Sequence, residues 1–317
     1  MLTCKSWWVN TEKVKKEAMA SKGDCFMLKK VLASALLVST LTLAACSSSS
    51  SNTSSSSAEQ TQWEKIQEAG VLKVATPGTL FPTSYYNDAK ELVGYEIDMI
   101  NEIGKRLKLE IEYQEIGVAE AFTAVDSGKV DISVNNFDMT EARKEKYNFS
   151  IPYKYSVGGY IVREDGSSGI EAADLSDWTG KKAGGGAGTQ YMKIAEKQGA
   201  EPVIYDNVTN DVYLRDVSTG RTDFIPNDYY TQVMAIKWAN ANFPDIKVKM
   251  GEAKYNPTEQ GIVMSKADTS LKEKIDEALE AMKADGTLKA ISEKYYAGQD
   301  LTVPVENADK LPVIEVE

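Results

Sequence analysis

Arg143 is the residue in this chain best suited to gripping an anionic ligand. It closes the stretch Asn135-Asn136-Phe137-Asp138-Met139-Thr140-Glu141-Ala142-Arg143, between a short apolar segment, Val130–Val134, and a charged run, Thr140–Lys146. A guanidinium offers two parallel N–H donors, the geometry that a carboxylate accepts. A strand that ends in a polar loop and continues as a helix is a common frame for a small-ligand site. Taken alone, Arg143 reads equally well as a surface arginine on a helix rich in Glu and Lys. The choice turns on whether the chain supplies a counter-charge and a second wall.

An internal repeat supplies both. Ser127-Gly-Lys-Val-Asp-Ile-Ser-Val-Asn-Asn136 and Thr219-Gly-Arg-Thr-Asp-Phe-Ile-Pro-Asn-Asp228 share a hydroxyl residue, Gly, a base, Asp, three strand residues and a polar end. Lys73-Val-Ala with Gly78-Thr79, and Lys182-Ala-Gly with Gly188-Thr189, form a second, looser pair in the same order. Two such agreements point to two similar α/β lobes whose strand ends face a shared cleft. Asp228 then stands on the second lobe where Asn136 stands on the first.

The elements needed to position these residues are legible. Gln60–Ala69 is amphipathic and ends at Gly70, a favourable C-cap. Val71–Ala75 reads as a buried strand and Thr76–Thr79 as a turn. Ile97, Ile100, Ile103 and Leu107 recur near the helical period, and Leu109, Ile111 and Tyr113 alternate as a strand does. Val118, Ala121, Phe122 and Val125 mark a further helix, closed by Gly128. Strand and helix in alternation predict a parallel α/β sheet. Phe149–Tyr153 leads into an extended crossing, with the return near Lys254–Val263. Lobe 1 is therefore expected at 60–155 and 256–300, lobe 2 at 156–255, and an extended tail at 301–317. Two crossing strands make a hinge, and closure around a ligand is the expected motion.

Composition removes several chemistries. The 317 residues contain no histidine, which excludes His-ligated zinc and Ser-His or Cys-His catalysis. Cys4, Cys25 and Cys46 all lie at or before residue 46, so the body carries no disulfide and no thiol nucleophile. Residues 1–46 carry seven lysines against three acids, and the whole chain is at −11. A body this acidic is not expected to bind nucleic acid. Gly184–Thr189 is glycine-rich but lacks the lysine of a phosphate loop. Glu273, Asp276, Glu277 and Glu280 alternate with Lys272 and Lys274 as a solvated helix face rather than a metal site. No cofactor or metal is expected.

From Met27 the chain reads as a secretory signal over residues 27–45: two lysines, an apolar core, then Leu43-Ala-Ala-Cys46. That ending resembles the bacterial lipobox, which implies lipidation at Cys46. Residues 1–26 look like an upstream extension from a start codon assigned too early. Residues 46–59 are the lipidated Cys and a Ser-rich tether.

With these residues together, the body resembles an extracellular solute-binding protein for polar amino acids that serves an ABC importer. The resemblance spans nearly all of 63–297 and rests on seven segments in order. These are Gly94–Asp98, Ser127–Asp131, Thr140–Arg143, Phe149–Tyr153, Gly180–Gly184, Asn227–Asp228 and Ala284–Leu288. It implies a two-lobed periplasmic-binding-protein-like fold of type II, a monomer on the outer face of the cell membrane, and ABC permease subunits as partners. It also implies that Arg143 grips a ligand's α-carboxylate and Asp228 its α-ammonium. Asn135, Asn136 and Asp138 would line the first-lobe wall, Gly188, Thr189 and Gln190 would donate from the second lobe, and Phe81 would supply an aromatic contact. Asp138 stands where the family usually has a hydroxyl residue, and capping of the helix at Thr140–Glu141 is its expected role. Asn135-Asn136 is similar to the Asn-Gln of the cystine-binding subgroup, which implies cystine or another uncharged polar amino acid. The alternatives are a dehydratase-type enzyme on the same fold and a ligand-sensing or adhesin lipoprotein.

Overall fold

A computed structural model of the protein describes residues 60–170 and 175–316. The upstream extension, the leader, Cys46 and the serine tether lie outside the described residues. The opening helix, Gln62–Ala69, starts where Thr61 and Glu64 cap each other's backbone and stops at Gly70, whose φ of 71° turns the chain left-handed. It delivers Val71–Thr76 to the middle of the first sheet, whose order is Glu110–Glu115, Val71–Thr76, Ile132–Ser133, Val263–Ser265, Tyr147–Phe149. The first three strands are parallel, and Val263–Ser265 runs antiparallel to both its neighbours. The helix Tyr95–Leu107 packs Ile100 and Ile103 on this sheet with Leu72, Val74 and Ile132. The closing helices, Thr269–Ala284 and Thr287–Tyr295, return to the same core through Leu271, Ile275, Leu279 and Leu288.

The second sheet is ordered Glu201–Tyr205, Lys182–Gly186, Phe224–Asp228, Lys154–Arg163, Val248–Met250, with Tyr255–Gln260 also paired to Lys154–Arg163. Lys154–Arg163 carries the chain from the first lobe into the second, and Tyr255–Gln260 carries it back. Helices Gln190–Lys197, Asn210–Ser218 and Tyr229–Asn242 cover this sheet over Ile161, Phe224, Ile225 and Trp178. The fold is the two-lobed α/β arrangement that the internal repeat implied, with sheets that are mixed rather than wholly parallel.

The repeat is geometric as well as textual. Asp131 accepts the Lys73 backbone N–H at 2.8 Å, and Asp223 accepts that of Lys182 at 2.9 Å. Gly128 and Gly220 both turn left-handed just before, with φ of 68° and 81°. Each aspartate thus ties a loop–strand junction to the start of the neighbouring parallel strand, and each strand then ends at the cleft.

Two features differ from the sequence expectation. Only Ile132–Ser133 of Val130–Val134 forms ladder structure, because the chain breaks away toward Asn136, which sits left-handed at φ 47°. The stretch read as one turn opens a small antiparallel sheet of Thr79–Leu80, Ser84–Tyr86 and Leu92–Val93. Gly94 makes this possible. At φ 141° it lies so close to the Thr83 carbonyl that a Cβ would collide with backbone. The tail is also more attached than its composition suggests. Leu301 is buried in the first-lobe core and accepts the Tyr155 N–H, while Ile314 packs on the second-lobe core and exchanges two hydrogen bonds with Asn256.

Asp131→Ala and Asp223→Ala are each expected to lower stability by about 1.5–3 kcal/mol, the usual worth of hydrogen bonds to a charged group. Asp223 should cost more, since it also pairs with Arg163 at 2.8 Å. Urea unfolding of the two variants checks the order.

Candidate functional site

Between the two sheets lies a cavity of about 340 Å³. Its first-lobe wall comes from Pro77, Thr79 and Leu80, from Gly117–Glu120, and from Asn135–Asp138 with Arg143. The second-lobe wall comes from Gly186–Ala187, Thr189–Tyr191, Tyr205–Val208, Tyr213 and Asn227. Two helix N-termini therefore meet here, one at Val118 and one at Gln190. Their free N–H groups and dipoles favour an anion. Arg143 adds a full positive charge. Its Nη1 donates to the Asp138 carbonyl at 3.0 Å and its Nη2 to the Gly188 carbonyl at 3.4 Å, across the cleft. The guanidinium also lies against Phe122 and Phe137, 5.2 and 5.7 Å from their centroids, which fixes its plane.

Six of the residues expected from the sequence meet in this cavity: Asn135, Asn136, Asp138, Arg143, Thr189 and Gln190. Three do not line it. Phe81 stacks on Trp238 at 5.9 Å and meets Tyr85 edge-on, so its ring stitches the lobes together. Gly188 contributes only its carbonyl to Arg143. Asp228 is fully buried and saturated. Its Oδ1 accepts the Thr231 N–H at 2.8 Å, capping helix Tyr229–Asn242, and its Oδ2 accepts Lys154 Nζ at 3.0 Å and Gln260 Nε2 at 3.1 Å. Asp138 does not cap the helix after it. Thr140 does, by accepting the Arg143 N–H, because Thr140 directly precedes the first helical residue.

Lys154 is the centre of a buried network that sequence reasoning missed. The side chains of Lys154 and Asp228 are 0% and 1% exposed. Burial is the largest influence and works against the ammonium, but the charge and hydrogen bonding of Asp228 and Tyr296 together outweigh it, so the lysine pKa stays above its ordinary value. Burial likewise opposes the Asp228 carboxylate, and Lys154, Ser156 and Thr231 hold its pKa below the usual range. Both directions describe an intact ion pair. Lys154 also reaches Asn136 Oδ1 at 3.3 Å, and Asn136 donates to Thr83 and Thr231 at 3.0 and 3.3 Å. The signal was present: Lys154 is a charge at the head of a crossing strand that carries no other charge before Arg163 at its end.

Glu96 is the second buried acid, on helix Tyr95–Leu107. It accepts the Asn136 N–H at 2.7 Å and the Tyr153 hydroxyl. Burial is the main cause that lifts its pKa from 4.5 to about 7, with Tyr153, Asn136 and Lys154 pulling it back and Asp228 pushing it up.

The comparisons with known proteins fall on this same body. Residues 72–298 match the family described as bacterial extracellular solute-binding proteins, family 3. The chain belongs to that family. It is 44% identical over 253 residues to the probable ABC transporter extracellular-binding protein YckB of Bacillus subtilis strain 168, covering 78% of this chain and 86% of YckB. The crystal structure of YckB superposes with a TM-score of 0.62 over 80% of this chain and 99% of the other, at 44% identity. The L-cystine-binding protein TcyJ of Escherichia coli strain K12 is 31% identical over 247 residues, 77% of this chain and 89% of TcyJ. These relatives are named as binding proteins.

Two outcomes test the network. Lys154→Met leaves Asp228 as an unpaired buried charge and is expected to cost about 3–5 kcal/mol. Lys154→Met with Asp228→Asn should recover most of that loss in urea unfolding, and a double variant as unstable as the single would disprove the pairing. For Glu96, a raised folded pKa means the native state holds its proton longer than the unfolded chain. Its contribution is full below pH 4.5 and is lost as pH rises through 7. The stability difference between the parent and Glu96→Gln should therefore shift against the parent across that window and stay flat above it.

Proposed function

We propose that this protein captures a free amino acid in the inter-lobe cavity and hands it to an ABC permease, as a monomer tethered through lipidated Cys46 to the outer face of the cell membrane. The observation that carries the reading is Arg143, set with two helix N-termini around one cavity of amino-acid size. Those groups suit an α-carboxylate, and the two lobes close over it through Arg143 to Gly188 and Phe81 N–H to Asn210 at 2.9 Å. L-cystine is the first candidate. Support for it comes from the likeness to TcyJ and from the uncharged amides of Asn135, Asn136, Gln190 and Asn207 along the walls. In this reading Asn135, Asn136, Thr189 and Gln190 contact the ligand, while Phe81 and Gly188 hold the walls together.

Titration calorimetry with the twenty amino acids and L-cystine tests it. One ligand should bind, and Arg143→Ala should weaken it by about 2–5 kcal/mol, a factor of roughly thirty to several thousand. No heat with any of them would overturn the reading. Detergent phase partitioning of the full-length protein, lost in Cys46→Ala, tests the anchor.

A further inference from the structure

The family's usual division of labour puts the ligand ammonium on the second-lobe aspartate, here Asp228. In this structure that carboxylate is not available. Both its oxygens are engaged, it is fully buried, and Asp228 is absent from the cavity wall, where its neighbour Asn227 appears instead. A ligand ammonium would have to share this buried carboxylate with Lys154.

Another acid is placed to serve. Three acidic residues line the cavity, and two of them, Glu120 and Asp206, are exposed. The third, Asp138, is 5% exposed. Its hydrogen bonds all end on one oxygen: Oδ1 accepts Thr258 Oγ1 at 2.8 Å, Gln260 Nε2 at 3.3 Å and the Tyr191 hydroxyl at 3.5 Å. Oδ2 accepts none of them. Its helix is capped by Thr140, so no backbone N–H claims it either. A carboxylate buried with one oxygen uncommitted, five residues before the cavity's guanidinium, is a site for a cation that arrives with an anion attached.

We propose that Asp138 takes the α-ammonium of the bound amino acid, and that the Lys154–Asp228 pair has withdrawn Asp228 from ligand recognition to serve as a structural tie. The inference rests on the amino-acid-binding reading above and concerns which residue recognises the ammonium. Both charges of the ligand are then met from the first lobe. The second lobe closes over them with the Thr189–Gln190 helix start, Tyr191 and Asn227, its one acid at the cavity, Asp206, being exposed. Burial lifts the Asp138 pKa while Arg143 and its hydrogen bonds lower it, and a bound ammonium would add a further charge that favours the ionised form.

The test compares L-cystine with 3,3′-dithiodipropionate, the same molecule without its ammonium groups, by calorimetry. The parent protein should prefer L-cystine by on the order of tenfold or more, and Asp138→Asn should lose most of that preference while still binding dithiodipropionate. Asp138→Ser, with its own thermal unfolding curve, covers the case in which the amide variant folds poorly. Lys154→Met with Asp228→Asn should keep the preference. Four results would overturn the proposal: a parent with no preference, an Asp138→Asn protein that keeps it, equal weakening of both ligands by Asp138→Asn, or loss of the preference in the double variant. Equal weakening would mean that Asp138 merely orients Arg143. A parent that binds neither compound nor any of the twenty amino acids would instead remove the functional reading beneath. If another amino acid is the one that binds, it and its ammonium-free analogue replace the pair.

Discussion

An ammonium group sealed away from water between two lobes is the constraint on which the rest of this structure depends. Lys154 stands at the head of the outgoing crossing strand, and its Nζ lies within hydrogen-bonding distance of Asn136 and Asp228. Those two residues end the two copies of the internal repeat. The lysine therefore sits near the axis that relates the lobes, bonded to equivalent points of both. An unpaired charge at such depth would be strongly unfavourable, so every neighbour is committed to it or to its partner. Gln260, at the end of the returning strand, donates to both Asp138 and Asp228. Both hinge strands thus carry polar groups that read the position of each lobe.

The repeat explains how so small a site acquires precise geometry. Asp131 and Asp223 each fix a strand to its parallel neighbour, and the strands then run only a few residues before ending at the cleft. Small errors in register at the aspartates would be carried to Asn136 and Asp228. A helix N-terminus from each lobe also reaches the cavity, at Val118 after the strand Glu110–Glu115 and at Gln190 after Lys182–Gly186. Anion attraction is in this sense a by-product of topology, and Arg143 adds specificity to it.

The fold was legible because it rests on periodic signals. Ile97, Ile100 and Ile103 announce a helix, and the Asp131 and Asp223 motifs announce two lobes. Much of the cavity wall was legible too: the loop after a strand pointed to Arg143, and the family resemblance pointed to Asn135, Asn136, Thr189 and Gln190, all of which line it. What escaped depends on long-range pairing. Whether Asp228 faces a ligand or a lysine is decided by Lys154, 74 residues away in the chain. Glu96 lies between two buried neighbours, Tyr95 and Ile97, on a helix whose pattern says nothing of an acid pointing inward. The small sheet around Ser84 was missed because its strands are too short to alternate, and it depends on the close approach of Gly94 to Thr83.

Charge accounting connects these observations. Lys154 and Asp228 cancel within the hinge, so they contribute little net field to the cavity. Arg143 and Asp138 remain as the enclosed charges at the wall, one of each sign and close in sequence, while Glu120 and Asp206 line it but are exposed; on the proposed reading a zwitterion presents the complementary pair. A ligand with only a carboxylate would leave Asp138 buried and unmatched, and one with only an ammonium would do the same to Arg143. Such discrimination arises from penalties on the wrong ligand as much as from attraction to the right one. In that reading both ligand charges are met from the first lobe, so capture there can precede closure, and the helix start at Gln190 then adds its own attraction for the carboxylate as the second lobe closes. Closure is left to contacts between the lobes, Asn136 to Thr231, Phe81 to Asn210 and Trp238, and Arg143 to Gly188. Of these only Arg143 also faces the cavity with a charge, so on the proposed reading one side chain would serve both the ligand and the closing contact.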